Sequence, residues 1–222
     1  MQLEWYGQSA FRLTDGTATV FVDPFHDLSR LRGRGRRWDY PAIAGVAADL
    51  LLVTHEHADH NGVRAIGGDP LVIRSTAGRL ASPIGEVVAV AAEHDEAAGT
   101  QRGPTTLFAF TLGGWRVAHL GDLGQRALRD EQADALGHVD LLLVPVGGGP
   151  TIGADQAADI AARLHARVVV PMHYRTARID FLEPIDAFLQ RAPRVQRLAS
   201  PVLDLDAPST VDGPLAVVPA AP

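Results

Sequence analysis

The chain of 222 residues contains no cysteine, so no disulfide can staple it and no thiolate can bind a metal or attack a substrate. It has no basic excess either. Its 20 Lys and Arg against 26 Asp and Glu give a formal charge of -6, which argues against nucleic-acid partners, since these are usually met by a basic stripe. No apolar run reaches the roughly 18 residues that would span a bilayer. The opening MQLEWYGQ lacks the basic and apolar regions of a signal peptide, so the reading is a soluble cytoplasmic protein with no membrane partner. There is no GxSxG elbow for a serine nucleophile and no GxGxxG or Walker pattern for a nucleotide. Any metal chemistry must therefore use nitrogen and oxygen donors.

The 46% hydrophobic content is ample for one buried core. One domain is expected over residues 1–218, with 219–222 as a loose tail. Short β-type runs open the chain at Gln2–Tyr6, Ala10–Leu13 and Thr17–Val22, with Asp15-Gly16 as a hairpin turn signal. After a loop from Phe25 to Tyr40, strands and helices alternate. Helices are expected at Asn61–Ile66, Thr76–Ala81, Leu128–Leu136, Gly153–His165 and Glu183–Ala192. Further strands are expected at Leu71–Ile73, Glu86–Ala91, Thr105–Leu112, Trp115–Leu120, Asp140–Val146 and Arg167–Met172. On periodicity alone this is an α/β or α+β domain.

What the chain does have is THEHADHNG, Thr54 to Gly62, which puts His55, His57, Asp59 and His60 directly behind the apolar run Asp49 to Val53. Side chains two apart on an extended segment share a face, so His55 and His57 can address one ion, and Asp59 and His60, past the turn, a second. Three further candidates follow apolar strand-like runs: His94 after Glu86–Ala91, Asp122 in HLGD, and His173 in PMHY. Ends of strands are where α/β sheets gather functional groups. A lone histidine is usually an ordinary surface or core residue. Seven donors of this kind at element ends rarely are.

The HEHADH run, with the later His94, Asp122 and His173 in order, resembles the metallo-β-lactamase superfamily. The WYGQSAFRL opening, VDP at Val22 to Pro24, HLGDLG and PMHY resemble its branch of L-ascorbate-6-phosphate lactonase-like and other metal-dependent hydrolases. The resemblance implies a four-layer αββα sandwich of two mixed β-sheets flanked by helices. It also implies a site for two divalent ions, zinc first and manganese as the rival. In that scheme His55, His57 and His94 hold one ion, Asp59, His60 and His173 the other, and Asp122 bridges them. Asp59, Asp122 and His173 are the implied catalytic set, with Asp59 orienting a metal-activated hydroxide and passing its proton on.

The implied reaction is hydrolysis of an ester, lactone or phosphoester of a small, anionic metabolite. A phosphodiesterase or nuclease of the same fold is the second reading, and a non-catalytic metal-binding or sensing domain the third. Arg30, Arg32, Arg34, Arg36 and Arg37, interleaved with glycine, are candidates to hold the substrate's anion, or else form a solvated loop. Gly147 to Pro150 (GGGP) could present backbone N–H groups to an anion. Asp23 could orient a ligand histidine or simply end a strand in an Asp-Pro turn. His119 could approach the site or serve structure, and His26, His138 and His165 read as surface or capping residues.

Overall fold

The computed structural model describes residues 1–28, 35–208 and 213–222. The opening segments form an antiparallel meander, β1 (Gln2–Gly7), β2 (Ala10–Thr14) and β3 (Thr19–Val22). The turn between β2 and β3 is held by Asp15, whose Oδ1 accepts from Thr17 N at 2.9 Å and Ala18 N at 3.0 Å. Beyond β3 lie β4 (Val46–Ala47), β5 (Leu50–Val53), β6 (Ile66–Gly67), β7 (Leu71–Arg74), β8 (Gly78–Ser82) and β9 (Gly85–Glu93). Next come β10 (Pro104–Leu112), β11 (Trp115–His119), α1 (Asp130–Leu136), β12 (Leu141–Pro145), α2 (Ala154–Arg163) and β13 (Val168–Met172). The described chain finishes with α3 (Asp186–Arg191), β14 (Val195–Arg197), β15 (Val202–Asp204) and β16 (Leu215–Val218).

Two mixed sheets result, one six-stranded in the order β15-β1-β2-β3-β5-β7 and one eight-stranded in the order β14-β16-β13-β12-β11-β10-β9-β8. They pack face to face, and strand parity shows how. Val20, Val22, Leu50 and Leu52 point inward to a core shared with Phe108, Phe110 and Trp115 of the second sheet, whereas Phe21 and Leu51 point outward. The outer face of the eight-stranded sheet is covered by helices: α2 buries Ala157, Ile160 and Ala161. The outer face of the six-stranded sheet is covered instead by Phe25, Trp38, Tyr40, Ile43 and Ile179. This is the expected sandwich, with one outer layer built of aromatic loop residues and a turn of 3-10 helix at Val63–Ala65.

Several expected elements differ. Residues Thr76–Ala81 are not a helix: Gly78–Ser82 pairs antiparallel with β9 from Gly78↔Ala89 to Ser82↔Gly85, and this hairpin outweighs a weak local helical preference. The expected helix at Asn61–Ile66 shrinks to one 3-10 turn because Gly62 is pinned, its N–H 2.6 Å from Pro24 O, and Ile66 is drawn into pairing with Val46. Strands β14, β15 and β16 lie where no element was expected. The tail at 219–222 is tethered: Ala220 N donates to Ser200 O at 3.0 Å and Arg178 Nε to Pro222 O at 2.7 Å. No helix among the described residues is long and apolar enough to cross a membrane.

Strand direction gathers the site. β9 and β11 are both antiparallel to β10, hence parallel to each other, and β11, β12 and β13 run parallel. The residues that follow β9, β11 and β13 therefore emerge at one edge of the eight-stranded sheet. Thr106 N donates to Thr54 O at 2.9 Å, which ties that edge to the end of β5 in the other sheet.

Candidate metal centre

His55, His57, Asp59 and His60 leave the end of β5, His94 follows β9, Asp122 follows β11 and His173 follows β13. Their ligand atoms fall into mutually close groups: His55, His57 and His94; Asp59, His60 and His173; and His55, His60 and Asp122. One atom joins them all. Asp122 Oδ2 lies 3.3 Å from Nε2 of His60, of His94 and of His173, and 3.9 Å from Nε2 of His55. His55 Nε2 and His57 Nδ1 face each other at 3.0 Å, so the two imidazoles do share a side, each presenting a different nitrogen. Asp59 Oδ2 stands 3.6 Å from His60 Nε2. All seven expected donors converge.

The hydrogen bonds behind these side chains fix which nitrogen is bare. Thr54 Oγ1 donates its single proton to Asp23 Oδ2 at 2.7 Å, so its 3.0 Å contact with His55 Nδ1 requires the proton on that ring nitrogen, leaving Nε2 with its lone pair. His60 Nδ1 likewise donates to Asp23 Oδ2 at 2.9 Å, and its Nε2 is buried without a partner. Asp23 also accepts from Thr54 N at 2.8 Å. Asp23 is therefore the orienting carboxylate, and the VDP signal for it was present in the sequence.

The electrostatics call for cations. Burial, then repulsion from His60, lowers His55 to about 3, and burial also lowers His94; both rings are thus neutral, as ligation requires. Burial acts to lower His60 too, but Asp122, Asp59 and Asp23 outweigh it and raise its pKa well above the ordinary value. Burial acts to raise Asp122, and the His173 and His60 imidazoles overcome it and hold the carboxyl well below its usual range. Carboxylates crowded around bare nitrogens in a buried nest make a donor set suited to divalent metal, and the hard oxygens with borderline imidazoles fit zinc or manganese chemistry.

Three residues at or beside the site hold strained backbone: Gln8, Asp23 and His173 have φ of 49°, 49° and 52°, values that non-glycine residues hold only when their surroundings impose them. Two glycines make room for ligands. A Cβ on Gly124 would fall 2.4 Å from His94 C, and one on Gly147 2.1 Å from His173 O. Gly147→Ala is expected to push the His173 backbone aside, destabilising the protein by about 1–3 kcal/mol and weakening metal binding. Thermal denaturation and metal titration of the variant check both.

Other candidates separate cleanly. Arg36 lines the 430 Å³ cavity above the nest, its guanidinium 5.1 Å over the Phe181 ring. Arg37 instead docks on the neighbouring loop, donating from N to Asp180 Oδ1 at 2.8 Å and from Nη1 to Ala177 O at 3.2 Å. Arg30, Arg32 and Arg34 lie outside the described residues. In the GGGP run, Gly148 N donates to Ile152 O at 3.2 Å and so is not offered to an anion. Its Gly149 and Pro150 line the cavity. His119 accepts from Gly121 N at 3.1 Å through Nδ1 and donates to Ser9 O at 2.9 Å through Nε2, and so shapes the Asp122 turn without reaching the nest. His26 and His165 are exposed, as is His138, which pairs with Asp140 at 3.5 Å. Arg102, which sequence reasoning passed over, reaches the same cavity from the loop after β9. Its contribution is a matter of loop placement, for which the sequence carries no signal.

Comparison with known proteins agrees with this geometry. The profile of the Beta-lactamase superfamily domain matches residues 2–173. A UPF0173 metal-dependent hydrolase of Thermococcus kodakarensis is 30% identical over 207 residues, covering 79% of this chain and 85% of the relative. A UPF0173 protein of Pyrococcus abyssi is 29% identical over 212 residues, covering 86% and 91%. Among solved structures, a Thermotoga maritima protein of the metallo-β-lactamase superfamily superposes with a TM-score of 0.78. It is 30% identical, with 98% of this chain and 97% of the other covered.

Proposed function

The chain belongs to the metallo-β-lactamase superfamily, and from that premise we propose that it is a dinuclear metal-dependent hydrolase acting on an ester, lactone or phosphoester of a small anionic metabolite. The coarser statement, a metal-dependent hydrolase, rests on its relatives and on the donor cluster. The observation that carries the finer one is the place of Asp122 Oδ2, 3.3 Å from His94 of one triad and from His60 and His173 of the other. A single oxygen shared by two triads is what a bridging ligand needs. His55, His57 and His94 would hold one ion, Asp59, His60 and His173 the second.

Bound divalent ions supply Lewis acidity toward the substrate's carbonyl or phosphoryl oxygen and acidify water near neutral pH. The protein's own groups do the remainder. Asp23 keeps the proton of His60 on Nδ1 and, through Thr54, that of His55 on Nδ1, so both rings stay correctly turned. Asp59 is the more exposed of the two ligand carboxylates, with 27% of its side chain accessible against 3% for Asp122. In this reading Asp59 orients water and hands a proton to the leaving oxygen, a role its exposure supports. Arg36 on the cavity rim supplies positive charge for an anionic substrate. A cavity of about 430 Å³ suits a metabolite better than a polymer. Zinc is the first candidate metal and manganese the second.

Metal analysis of the purified protein is expected to give two ions per chain, and chelation to abolish hydrolysis of simple esters and lactones, with zinc or manganese restoring it. His57→Ala is expected to lose one ion and most of the activity. Protein that folds normally, binds one ion or none, and hydrolyses nothing would leave a binding role instead.

A further inference from the structure

A second cavity, of about 340 Å³, lies against the first, and His57 and Arg102 belong to the lining of both. Its other walls include Thr54, Ser75, Thr76, Thr105 and Thr106. The Thr105 hydroxyl is buried against Gly121 and so is turned away from the cavity. The Arg102 guanidinium has no hydrogen-bond or ion-pair partner among the described residues; only its backbone N–H is engaged, with Asp95 Oδ2 at 2.8 Å.

Arg102 is held at this boundary by construction. Asp95 follows the ligand His94, and its carboxylate turns back into its own loop to accept four backbone N–H groups: Ala97 at 2.8 Å and Gly99 at 3.0 Å on Oδ1, Gln101 at 3.0 Å and Arg102 at 2.8 Å on Oδ2. The foot of the loop is closed by His94 N donating to Gly103 O at 3.1 Å. The residue that supplies a metal donor and the one that carries the free guanidinium thus sit at opposite ends of one clamped loop.

Resting on the hydrolase reading above, we propose that Arg102 is a specificity-determining residue that binds an anionic group, carboxylate or phosphate, on the arm of the substrate that enters the cavity behind His57. The substrate is then bipartite. Its scissile bond lies at the nest, and an arm small enough for that cavity extends past His57 with its negative charge against Arg102.

The test compares three acetyl esters that differ only in the ring substituent: phenyl acetate, 4-acetoxybenzoate and 4-acetoxyphenyl phosphate. In the wild-type holoenzyme the charged esters are expected to be preferred. In Arg102→Ala the ratio of kcat/KM, charged over neutral, is expected to fall by about 10- to 100-fold, the range of a charge-assisted hydrogen bond, mainly through KM, with Arg102→Lys intermediate. Arg126→Ala removes an exposed arginine paired with Glu96 at 2.9 Å in the same region, and is expected to leave the ratio unchanged. Whether carboxylate or phosphate loses more identifies the anion. A ratio unaltered in Arg102→Ala overturns the proposal. If the wild type cleaves none of the esters, the hydrolase reading is what fails for such substrates, and calorimetric binding of phenylphosphonate to the holoprotein decides on Arg102 alone. Affinity at least about 10-fold weaker in Arg102→Ala upholds the residue's role; equal affinity, or no binding to either protein, overturns it.

Discussion

Asp122→Asn is expected to lower kcat/KM by at least about 10³-fold, on the order of 4 kcal/mol of transition-state stabilisation, while leaving the fold intact. The substitution keeps shape and volume but removes the charge, and Oδ2 is the atom within 3.3 Å of three imidazole nitrogens. An amide oxygen is a weak bridge between two dications, and an amide nitrogen in that place is no ligand at all. Metal content is expected to drop to one ion per chain or fewer. The melting temperature of metal-stripped protein should change little, whereas the rise on adding metal, which reflects binding to the folded state alone, should largely vanish. A variant that keeps two ions and more than a tenth of the wild-type rate would remove Asp122 from its bridging place.

Asp23 gives the second large effect, and here stability carries it. Its carboxylate is fully buried and is the partner of Thr54 N, Thr54 Oγ1 and His60 Nδ1. Asp23→Ala strands all three, and stranding buried polar groups of this kind costs about 3–5 kcal/mol. For a chain of this size that is a fall in melting midpoint of roughly 10 °C. Asp23→Asn is the more informative variant. Its amide cannot accept from Thr54 N and Thr54 Oγ1 and still accept from His60 Nδ1. One donor therefore faces another, or the His60 proton moves to Nε2 and closes that nitrogen to metal. Metal affinity is expected to fall by about 10- to 100-fold with a smaller loss of stability than for alanine. Equal metal affinity in Asp23→Asn and wild type would show that the His60 tautomer is set by something else.

The site was legible in the sequence to an unusual depth because its donors are chemically conspicuous and each closes an apolar strand. His55, His57, Asp59 and His60 announce themselves within six positions, and His94, Asp122 and His173 each follow an apolar, strand-like run. The core strands β5, β12 and β13 were equally plain, since Leu50–Val53, Leu141–Pro145 and Val168–Met172 are buried throughout and read as continuous apolar runs. The edges were not. β8, with its mostly exposed residues, and β14, exposed along its whole length, carry no alternation that a sequence reader could follow. They are strands because β9 and β16 offer them unpaired backbone.

The sequence by itself determined the chemistry: nitrogen and oxygen donors with no sulfur, enough of them for two ions, and strands stiff and apolar enough to bury them at their ends. It could not determine which side chains share a boundary. The pairing of His60 with Asp23 spans 37 positions, and Arg37 turned out to be bonded to Asp180, 143 positions away. Arg102 became a neighbour of His57 only because one loop folds back on Asp95 while two sheets are packed together. Donor identity is written residue by residue, but hydrogen-bond partners and cavity walls follow from how separate elements pack, and that relation exists only in the folded chain.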